Sequence, residues 1–213
     1  MQGVFVTFEG CDGSGKSTQL KLLTENLIQA GVDVLVTREP GGTKFGELVR
    51  RVLLDSSGPD RTCLAELFLY SASRAEIVQK ILLPALREGR VVLTERFADS
   101  TTVYQGYAGG IPIEDIEIIN KVATCGLVPD LTFVLDVNDP RVFHDRLAPK
   151  MKDKIEMRDD GYHAKVREGY RLLALRHPER IRLIDATLPS ASILAILEES
   201  VWKVLNSKKG GRA

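Results

Sequence analysis

The sequence predicts an α/β protein, a doubly wound parallel sheet of about five strands with helices on both faces and a short lid. Two observations predict this fold. Short apolar runs of strand type alternate along the chain with segments of helical spacing, which is the order of βαβ units. A glycine-rich loop also joins the first of these runs to the first helix. With 213 residues, the chain suits one domain over 1–213, with a lid excursion at 148–160 and a frayed tail at 207–213.

The predicted strands are five runs rich in β-branched and apolar residues. The third and fourth are almost continuously apolar, as expected of parallel strands that helices cover on both faces. The second follows Gly31, a good end for a helix. The runs are Val4–Phe8, Val32–Thr37, Val91–Thr94, Leu131–Val137 and Ile181–Ile184.

The predicted helices are segments whose apolar residues recur at helical spacing. The third is unusually long, and Leu64, Phe68 and Ala72 keep the spacing within it. The helices are Ser17–Ala30, Phe45–Leu54, Cys63–Glu88, Glu114–Thr124, Pro140–Leu147, Tyr162–Arg176 and Ser190–Leu205.

The loop after the first strand fits the phosphate-binding pattern G-x-x-x-x-G-K-[ST], from Gly10 to Ser17. Its glycines let the backbone curl so that several N–H groups point at one anion, and the following helix adds its N-terminal dipole. Lys16 is expected to reach the β- and γ-phosphates, and the Ser17 hydroxyl to bind Mg²⁺. The pattern predicts a fold of the P-loop NTPase type, whose nucleotide-binding residues are Gly10, Cys11, Asp12, Gly13, Ser14, Gly15, Lys16, Ser17 and Thr18.

Composition narrows the function classes. Lys plus Arg number 29 and Asp plus Glu number 29, so the formal net charge is zero, which argues against a nucleic-acid polymer as partner. Cys11, Cys63 and Cys125 are odd in number and form no C-x-x-C pair, as in a reducing compartment. No basic-then-apolar leader and no membrane-length apolar run is present. We therefore expect a cytoplasmic protein with no membrane partner.

A second group of cations is expected near the same rim of the sheet. Arg38 and the pair Glu95-Arg96 follow two predicted strands, and the carboxyl ends of parallel strands meet at one edge. Arg50 and Arg74 lie on helices expected to pack nearby, and arginine suits a two-pronged grip on phosphate. Several cations on separate segments imply more phosphate than one triphosphate carries. A substrate with its own phosphate is the simple explanation.

The stretch 148–160 carries many charges of both signs and almost no apolar residue. By itself such a stretch is typical of a solvated surface loop. Beside a nucleotide site it is also typical of a mobile lid whose cations close over phosphates.

Several motifs together resemble those of the thymidylate kinase (dTMP kinase) family. They occur in the family's order and spacing and span nearly the whole chain, so the set is far more specific than the phosphate loop alone. The motifs are Phe8-Glu9-Gly10, Asp12-Gly13-Ser14-Gly15-Lys16-Ser17-Thr18, Arg38-Glu39-Pro40-Gly41-Gly42-Thr43, Asp99-Ser100, Tyr104-Gln105-Gly106 and Val166-Arg167-Glu168-Gly169-Tyr170. The resemblance implies phosphorylation of dTMP to dTDP by ATP with Mg²⁺, a step in dTTP biosynthesis. It also implies a nucleoside-monophosphate-kinase fold, usually a homodimer.

Roles at the phosphates follow from the resemblance, position by position. Lys16, Ser17 and Thr18 would hold the ATP phosphates and the metal. Asp12 would meet the 3′-hydroxyl of the acceptor sugar. The acceptor phosphate would be gripped by two arginines, Arg38 and Arg96.

Roles around the acceptor base follow in the same way. Tyr70 would stack on thymine, and Arg74 would bond a thymine carbonyl. Positions four apart share a helix face, so the two side chains can address one base. The further acceptor-pocket positions are Arg50, Ser100, Thr101, Tyr104 and Gln105.

The chain departs from the family's pattern in two places. The family usually has Asp-Arg-Tyr after the third strand, where this chain has Glu95-Arg96-Phe97. Glu95 is expected to bind or orient the metal rather than act as a base. Lysines also replace the lid arginines, so Lys150 and Lys154 are the candidates for the transition-state cation, with slower turnover expected. The predicted catalytic residues are Lys16, Arg38, Glu95, Arg96, Lys150 and Lys154.

Three alternatives stay open from the residues. A deoxynucleoside kinase has a similar phosphate loop and would use Glu95 to deprotonate a 5′-hydroxyl. Another monophosphate kinase would act on AMP, CMP or UMP, although Tyr70 with Arg74 favours a pyrimidine with a 4-carbonyl. A nucleotide switch would need no acceptor and no second set of arginines.

Overall fold

A computed structural model describes residues 3–137, 155 and 157–210. Its sheet has five parallel strands in the order β2-β3-β1-β4-β5. The strands are β1 Val4–Glu9, β2 Val34–Arg38, β3 Val91–Glu95, β4 Leu131–Asp136 and β5 Ile181–Asp185. This confirms the predicted fold class.

The burial of each strand follows its place in the sheet. Every residue of β1 and β4 is buried, because helices cover both faces of these strands. The edge strands β2 and β5 are partly exposed. β2 begins two residues later than predicted, because the Val32 N–H donates to Leu27 O and ends the preceding helix.

The helices in the described ranges occur where helical spacing predicts them, and two further segments are helical, Ala98–Thr101 and Thr102–Tyr107. The helices are α1 Lys16–Gln29, α2 Lys44–Leu54, α3 Cys63–Ile77, α4 Leu83–Arg87, α5 Ala98–Thr101, α6 Ile113–Ala123, α7 Asp160–Arg176 and α8 Ser190–Gly210, with π-helical turns at Val78–Leu82 and Thr102–Tyr107. The last helix extends to Gly210, past its predicted end at Leu205 and into the tail 207–213 that we expected to be frayed. The helix predicted at 140–147 lies outside the described residues. None of the helices in the described ranges is both long and apolar enough to cross a membrane.

The long predicted helix over 63–88 is a continuous run of α3, a π turn and α4. Pro84 explains the wider turn. In a regular α-helix its ring would clash with the carbonyl four residues earlier, and proline has no N–H to donate. The Leu83 N–H instead donates to Val78 O, five residues back.

The two faces of the sheet carry separate cores. Val4, Val6 and Phe8 of β1 join a hydrophobic cluster with side chains from α1, α7 and α8. Phe5 points the other way, into a cluster built from the α3–α4 run. This alternation places helices on both faces, as a doubly wound sheet requires.

Strand register brings the predicted site residues to one level. Phe8 pairs with Glu95 on the neighbouring strand, and Glu95 pairs with Arg38 on the next. The phosphate loop after β1 and the residues that end β2 and β3 therefore share one rim of the sheet.

Candidate active site

A cavity of about 700 Å³ opens at this rim. The phosphate loop forms one wall, and the ends of β2 and β3 with parts of α2, α3 and the 98–107 segment form another. The predicted site residues that line it are Asp12, Gly13, Ser14, Gly15, Lys16, Ser17, Thr18, Arg38, Arg50, Tyr70, Glu95, Arg96, Ser100, Thr101, Tyr104 and Gln105. Gly10, Cys11 and Arg74 are not in the lining, and Lys150 and Lys154 lie outside the described residues.

The phosphate loop has the backbone that anion binding needs. Gly10, Gly13 and Gly15 have φ values of 129°, 76° and 95°, a region that other residues rarely adopt. A Cβ at Gly10 would lie 2.5 Å from Leu135 O, so this position also requires a close approach to β4. α1 starts directly after Gly15, which has no side chain to cap it, and its first turn holds no acidic residue. Its first N–H groups are thus left for an anion.

Lys16 is folded against the loop. Its Nζ donates to Gly10 O at 3.1 Å and Cys11 O at 2.8 Å, so these two residues act through their carbonyls. The side chain is almost fully buried, and burial, with Arg96 as a second cation, lowers the pKa of Lys16. Burial likewise raises the pKa of the Cys11 thiol to about 11, so Cys11 is protonated at neutral pH and is not a reactive nucleophile.

Ser17 and Glu95 meet between the two walls. The Ser17 hydroxyl donates to Glu95 Oε2 at 2.7 Å. A hydroxyl and a carboxylate are the oxygen ligands that Mg²⁺ accepts. No cluster of three or more His, Cys, Asp or Glu side chains suited to a metal occurs in the described ranges. Mg²⁺ sites of phosphoryl-transfer enzymes commonly complete their ligands with substrate phosphates and water.

Arg96 is held in an unusual backbone conformation by its partners. Its φ is 66°, a left-handed value that costs energy for a residue with a long side chain. The guanidinium bonds Asp12 Oδ1 at 2.6 Å and Ser100 Oγ at 3.2 Å, and stacks over the Tyr104 ring at 5.1 Å. Burial alone would raise the pKa of Asp12, but Arg96 and Lys16 outweigh it and hold that pKa at about 2.

Glu9 organises the turn that carries Arg96, a role that sequence reasoning missed. Its fully buried carboxylate accepts from the N–H groups of Phe97 and Ser100 through Oε1. Oε2 accepts from Ser100 Oγ at 2.5 Å and Tyr170 OH at 2.9 Å. Burial raises the pKa of Glu9. Glu9 belongs to the motif Phe8-Glu9-Gly10, but the motif alone gave no indication of these partners.

The other predicted acceptor arginines differ in exposure. Arg38 has a side chain that is 54% exposed and bonds Glu47 Oε1 on α2 at 3.1 Å. Glu47 also accepts from the Gly42 N–H, which fixes the loop after β2. Arg50 NH1 donates to Pro40 O at 2.9 Å. Both arginines line the cavity.

Arg74 lies behind the cavity wall rather than in it. It is 1% exposed and donates to Glu39 Oε2 at 2.8 Å, to Thr101 and Asn120 through NH1, and to Phe97 O through NH2. Burial raises the pKa of Glu39 to about 7, although Arg74 acts in the opposite direction. Glu39 Oε1 is buried without a partner in the described structure. The observed role of Arg74 is to hold this wall together, and its contact with a base stays a prediction.

A further part of the lining was not predicted. Gln19 on α1 donates from Nε2 to Ser190 O and Oγ at the start of α8, and its Oε1 is buried without a partner. These residues come from segments far apart in the chain and carry no motif, so spacing could not reveal them. The unpredicted lining residues are Gln19, Glu39, Pro40, Leu54, Ile155, Ala186, Leu188, Ser190 and Ile193.

Comparison with known proteins gives a consistent result. The family model described as thymidylate kinase matches residues 8–195. The chain is 44% identical over 209 residues to a thymidylate kinase of Caldanaerobacter subterraneus subsp. tengcongensis, covering 98% of this chain and 100% of the relative. It is 48% identical to one of Pelotomaculum thermopropionicum, over 88% of this chain and 87% of the relative. The crystal structure of thymidylate kinase from Ehrlichia chaffeensis is similar with a TM-score of 0.75 and 36% identity, covering 93% of this chain and 99% of that one.

Proposed function

This chain belongs to the thymidylate kinase family, and we propose that the cavity is where its two substrates meet. The protein is an enzyme that phosphorylates dTMP in an ATP-dependent reaction. The observation that carries the proposed site is one cavity with two places for anions. The phosphate loop forms one, and the arginines at the ends of β2 and β3 form the other.

In this arrangement the ATP phosphates lie on the phosphate loop. The N–H groups of the loop and of the first turn of α1 surround them, and Lys16 leaves its two carbonyls to bind the transferred group. Gln19 and Ser190 lie on the same side of the cavity and suit the donor base.

The acceptor phosphate lies between Arg38 and Arg96, and its base lies toward Tyr70 and Gln105. Because this phosphate is already ionised at neutral pH, its oxygen can attack the γ-phosphorus in line without a general base. Glu95 is engaged with Ser17 and is not needed to remove a proton. That arrangement disfavours the deoxynucleoside kinase alternative.

Ser17 and Glu95 would hold Mg²⁺ at the junction of the two walls. When bound, the ion supplies positive charge to the phosphate oxygens as negative charge develops on them. Arg96 and Lys16 add to that charge from the protein. Lys150 and Lys154 remain proposed transition-state cations on the strength of the family resemblance alone.

We also propose that the enzyme is a homodimer that acts in the cytoplasm. Exposed apolar side chains gather on three neighbouring helices, α2, α3 and α6, at helical spacing: Phe45, Leu48, Val52, Leu64, Phe68, Ile118 and Val122. A continuous apolar face of this kind favours self-association. Sedimentation of Phe68→Asp should give a monomer where the wild type gives a dimer. Identical sedimentation of the two proteins would show that this face is not the dimer interface.

The proposed cytoplasmic location is supported by the three free cysteines, which are typical of a reducing compartment.

The proposed acceptor-phosphate site is tested by Arg96→Lys, which keeps a charge but loses the planar fork. We expect the KM for dTMP to rise about tenfold to a hundredfold, with the KM for ATP within about twofold of the wild type. The matched control is Arg90→Lys, which alters a surface arginine paired with Asp33. Equal losses for both substrates would contradict the placement.

A further inference from the structure

Gln105 presents its amide to the cavity in a defined orientation. It is 1% exposed, sits in the π turn Thr102–Tyr107 and lines the cavity. Its Nε2 lies 3.5 Å from Glu66 Oε2. An ionised carboxylate can only accept hydrogen bonds, so the NH₂ end of the amide faces Glu66. The carbonyl end, Oε1, is therefore the end left for the cavity.

Glu66 forms a buried ion pair with Arg158. It is 2% exposed and accepts from Arg158 NH2 at 2.8 Å through both oxygens. The Arg158 guanidinium is stacked on the Tyr162 ring at 4.4 Å, which fixes the cation in place. Glu66 also lies in the first turn of α3, where the helix dipole stabilises an anion.

Glu66 shares a helix face with the proposed base contact. Tyr70 is four residues further along α3, so both side chains point to the same side of the helix. The carboxylate thus lies behind the part of the cavity that the base of the acceptor would occupy.

We propose that Glu66 is a positioning residue that sets the base specificity of the acceptor pocket through Gln105. The proposal rests on the proposed function, in which the base lies against Gln105. Thymine carries a proton on ring nitrogen N3, whereas cytosine has a lone pair there. A carbonyl oxygen facing the cavity accepts from thymine N3–H and leaves cytosine N3 without a donor, which costs binding energy in a dry site.

The variant Glu66→Gln should reverse the orientation of the Gln105 amide. Arg158 needs an acceptor, so the new amide turns its carbonyl to Arg158 and its NH₂ group to Gln105. Gln105 must then turn its own carbonyl toward position 66 and its NH₂ group to the cavity. The pocket now offers a donor, which matches cytosine and opposes thymine.

The test is to measure kcat/KM for dTMP and for dCMP in the Glu66→Gln variant. The expected result is a fall of about tenfold to a hundredfold in the ratio of dTMP over dCMP. The matched control is Glu76→Gln, the same change on the same helix in a residue paired with Lys80. Its ratio should equal that of the wild type.

A double variant that exchanges the side chains at positions 66 and 105 distinguishes an effect of hydrogen-bond direction from an effect of lost packing. In Glu66→Gln with Gln105→Glu, the amide at 66 donates to the carboxylate at 105, whose second oxygen again faces the cavity as an acceptor. The exchange keeps the total charge, and we expect it to recover most of the preference for dTMP. A structural role for Glu66 alone would give no recovery, so an unrecovered ratio overturns the proposal even where the single variant folds poorly.

The variant Gln105→Leu distinguishes a wrong placement of the base from a wrong role for Glu66. If Gln105→Leu leaves the KM for dTMP unchanged, the base does not lie against Gln105, and both the placement and the proposal are wrong. If Gln105→Leu raises that KM but Glu66→Gln keeps the dTMP to dCMP ratio, the placement stands and the role of Glu66 is refuted.

Discussion

The Ser17 hydroxyl and the Glu95 carboxylate are 2.7 Å apart, which joins the phosphate loop to the end of β3. The two residues are 78 positions apart in sequence and meet because β1 and β3 are neighbours in the sheet. Both are oxygen donors suited to Mg²⁺, and their contact defines where the two walls of the cavity converge.

Glu95→Gln should weaken the response to magnesium. An amide keeps the size of the side chain but loses the charge, so about tenfold more free Mg²⁺ should be needed for half-maximal rate. Initial rates against free Mg²⁺ check this, with the exposed Glu88→Gln as control. An unchanged magnesium curve for Glu95→Gln would remove this residue from the metal site.

Tyr170→Phe should weaken acceptor binding by loosening Arg96. The hydroxyl bonds Glu9, Ser100 and Arg96, so its loss leaves the buried Glu9 carboxylate one donor short. We expect the KM for dTMP to rise about threefold to tenfold and the free energy of unfolding to fall by about 1–2 kcal/mol.

Tyr162→Phe is the comparison for this change. It removes a hydroxyl from the same helix, α7, that donates to the Tyr104 carbonyl and not to Glu9. Steady-state kinetics should show a smaller change in the KM for dTMP than Tyr170→Phe. Equal effects would mean that the Glu9 network does not position Arg96.

The contribution of Asp12 to stability should disappear in acid. The pKa of Asp12 is about 2 in the folded chain, against an ordinary 3.8. The ionised carboxylate therefore stabilises the fold at pH values above about 3.8, and this stabilisation is lost as the pH falls through 2. The difference in unfolding free energy between wild type and Asp12→Asn should be steady above about pH 5.

Below about pH 4 that difference should shrink by on the order of 1 kcal/mol, a value discounted because the Asp12 side chain is 31% exposed. Urea unfolding at a series of pH values measures it. A difference that stays constant down to pH 2 would show that Arg96 and Lys16 do not lower the pKa of Asp12.

Gly169→Ala should destabilise the fold, against the usual trend. Replacing a glycine inside a helix by alanine normally stabilises it by about 0.5–1 kcal/mol. Here the new Cβ would lie 2.9 Å from Tyr107 Cβ and 3.2 Å from Val103 Cγ1, where α7 packs on the π turn. Overpacking of this kind costs about 1–3 kcal/mol.

Thermal and urea unfolding would show this loss, with Glu168→Ala as the neighbouring control. Glu168 has a side chain that is 61% exposed, so its removal should change stability by less than about 0.5 kcal/mol. A more stable Gly169→Ala protein would mean that the helix can move away at no cost.

The fold could be predicted from sequence because its signals are local. Buried strands such as Leu131–Asp136 are apolar throughout, and the glycines of the phosphate loop require their backbone whatever surrounds them. Ala98–Tyr107 had no such signal. It is helical because Glu9 accepts from the Phe97 and Ser100 N–H groups, and because Asn120 donates to Ala98 O. These contacts come from distant parts of the chain.

The site was predictable to the same extent. Residues that belong to motifs, such as Lys16 and Arg96, could be placed at the rim by the strand that precedes them. Helical spacing correctly put Tyr70 and Arg74 on one face, but spacing does not measure depth. The structure shows Arg74 buried against Glu39, behind the cavity that Tyr70 lines.

The most direct test of the account is ADP release with magnesium-ATP and, in separate reactions, dTMP, dUMP, thymidine, CMP, AMP or no acceptor. We predict strong release with dTMP and weaker release with dUMP. Thymidine and the reaction without acceptor bring no phosphate to Arg38 and Arg96, and the bases of CMP and AMP offer Gln105 no ring N–H like that of thymine N3. dUMP has the phosphate and the N3–H but lacks the thymine methyl group, and the loss of that apolar contact weakens its reaction. Release with thymidine but not dTMP, or no release that depends on an acceptor, would contradict the account.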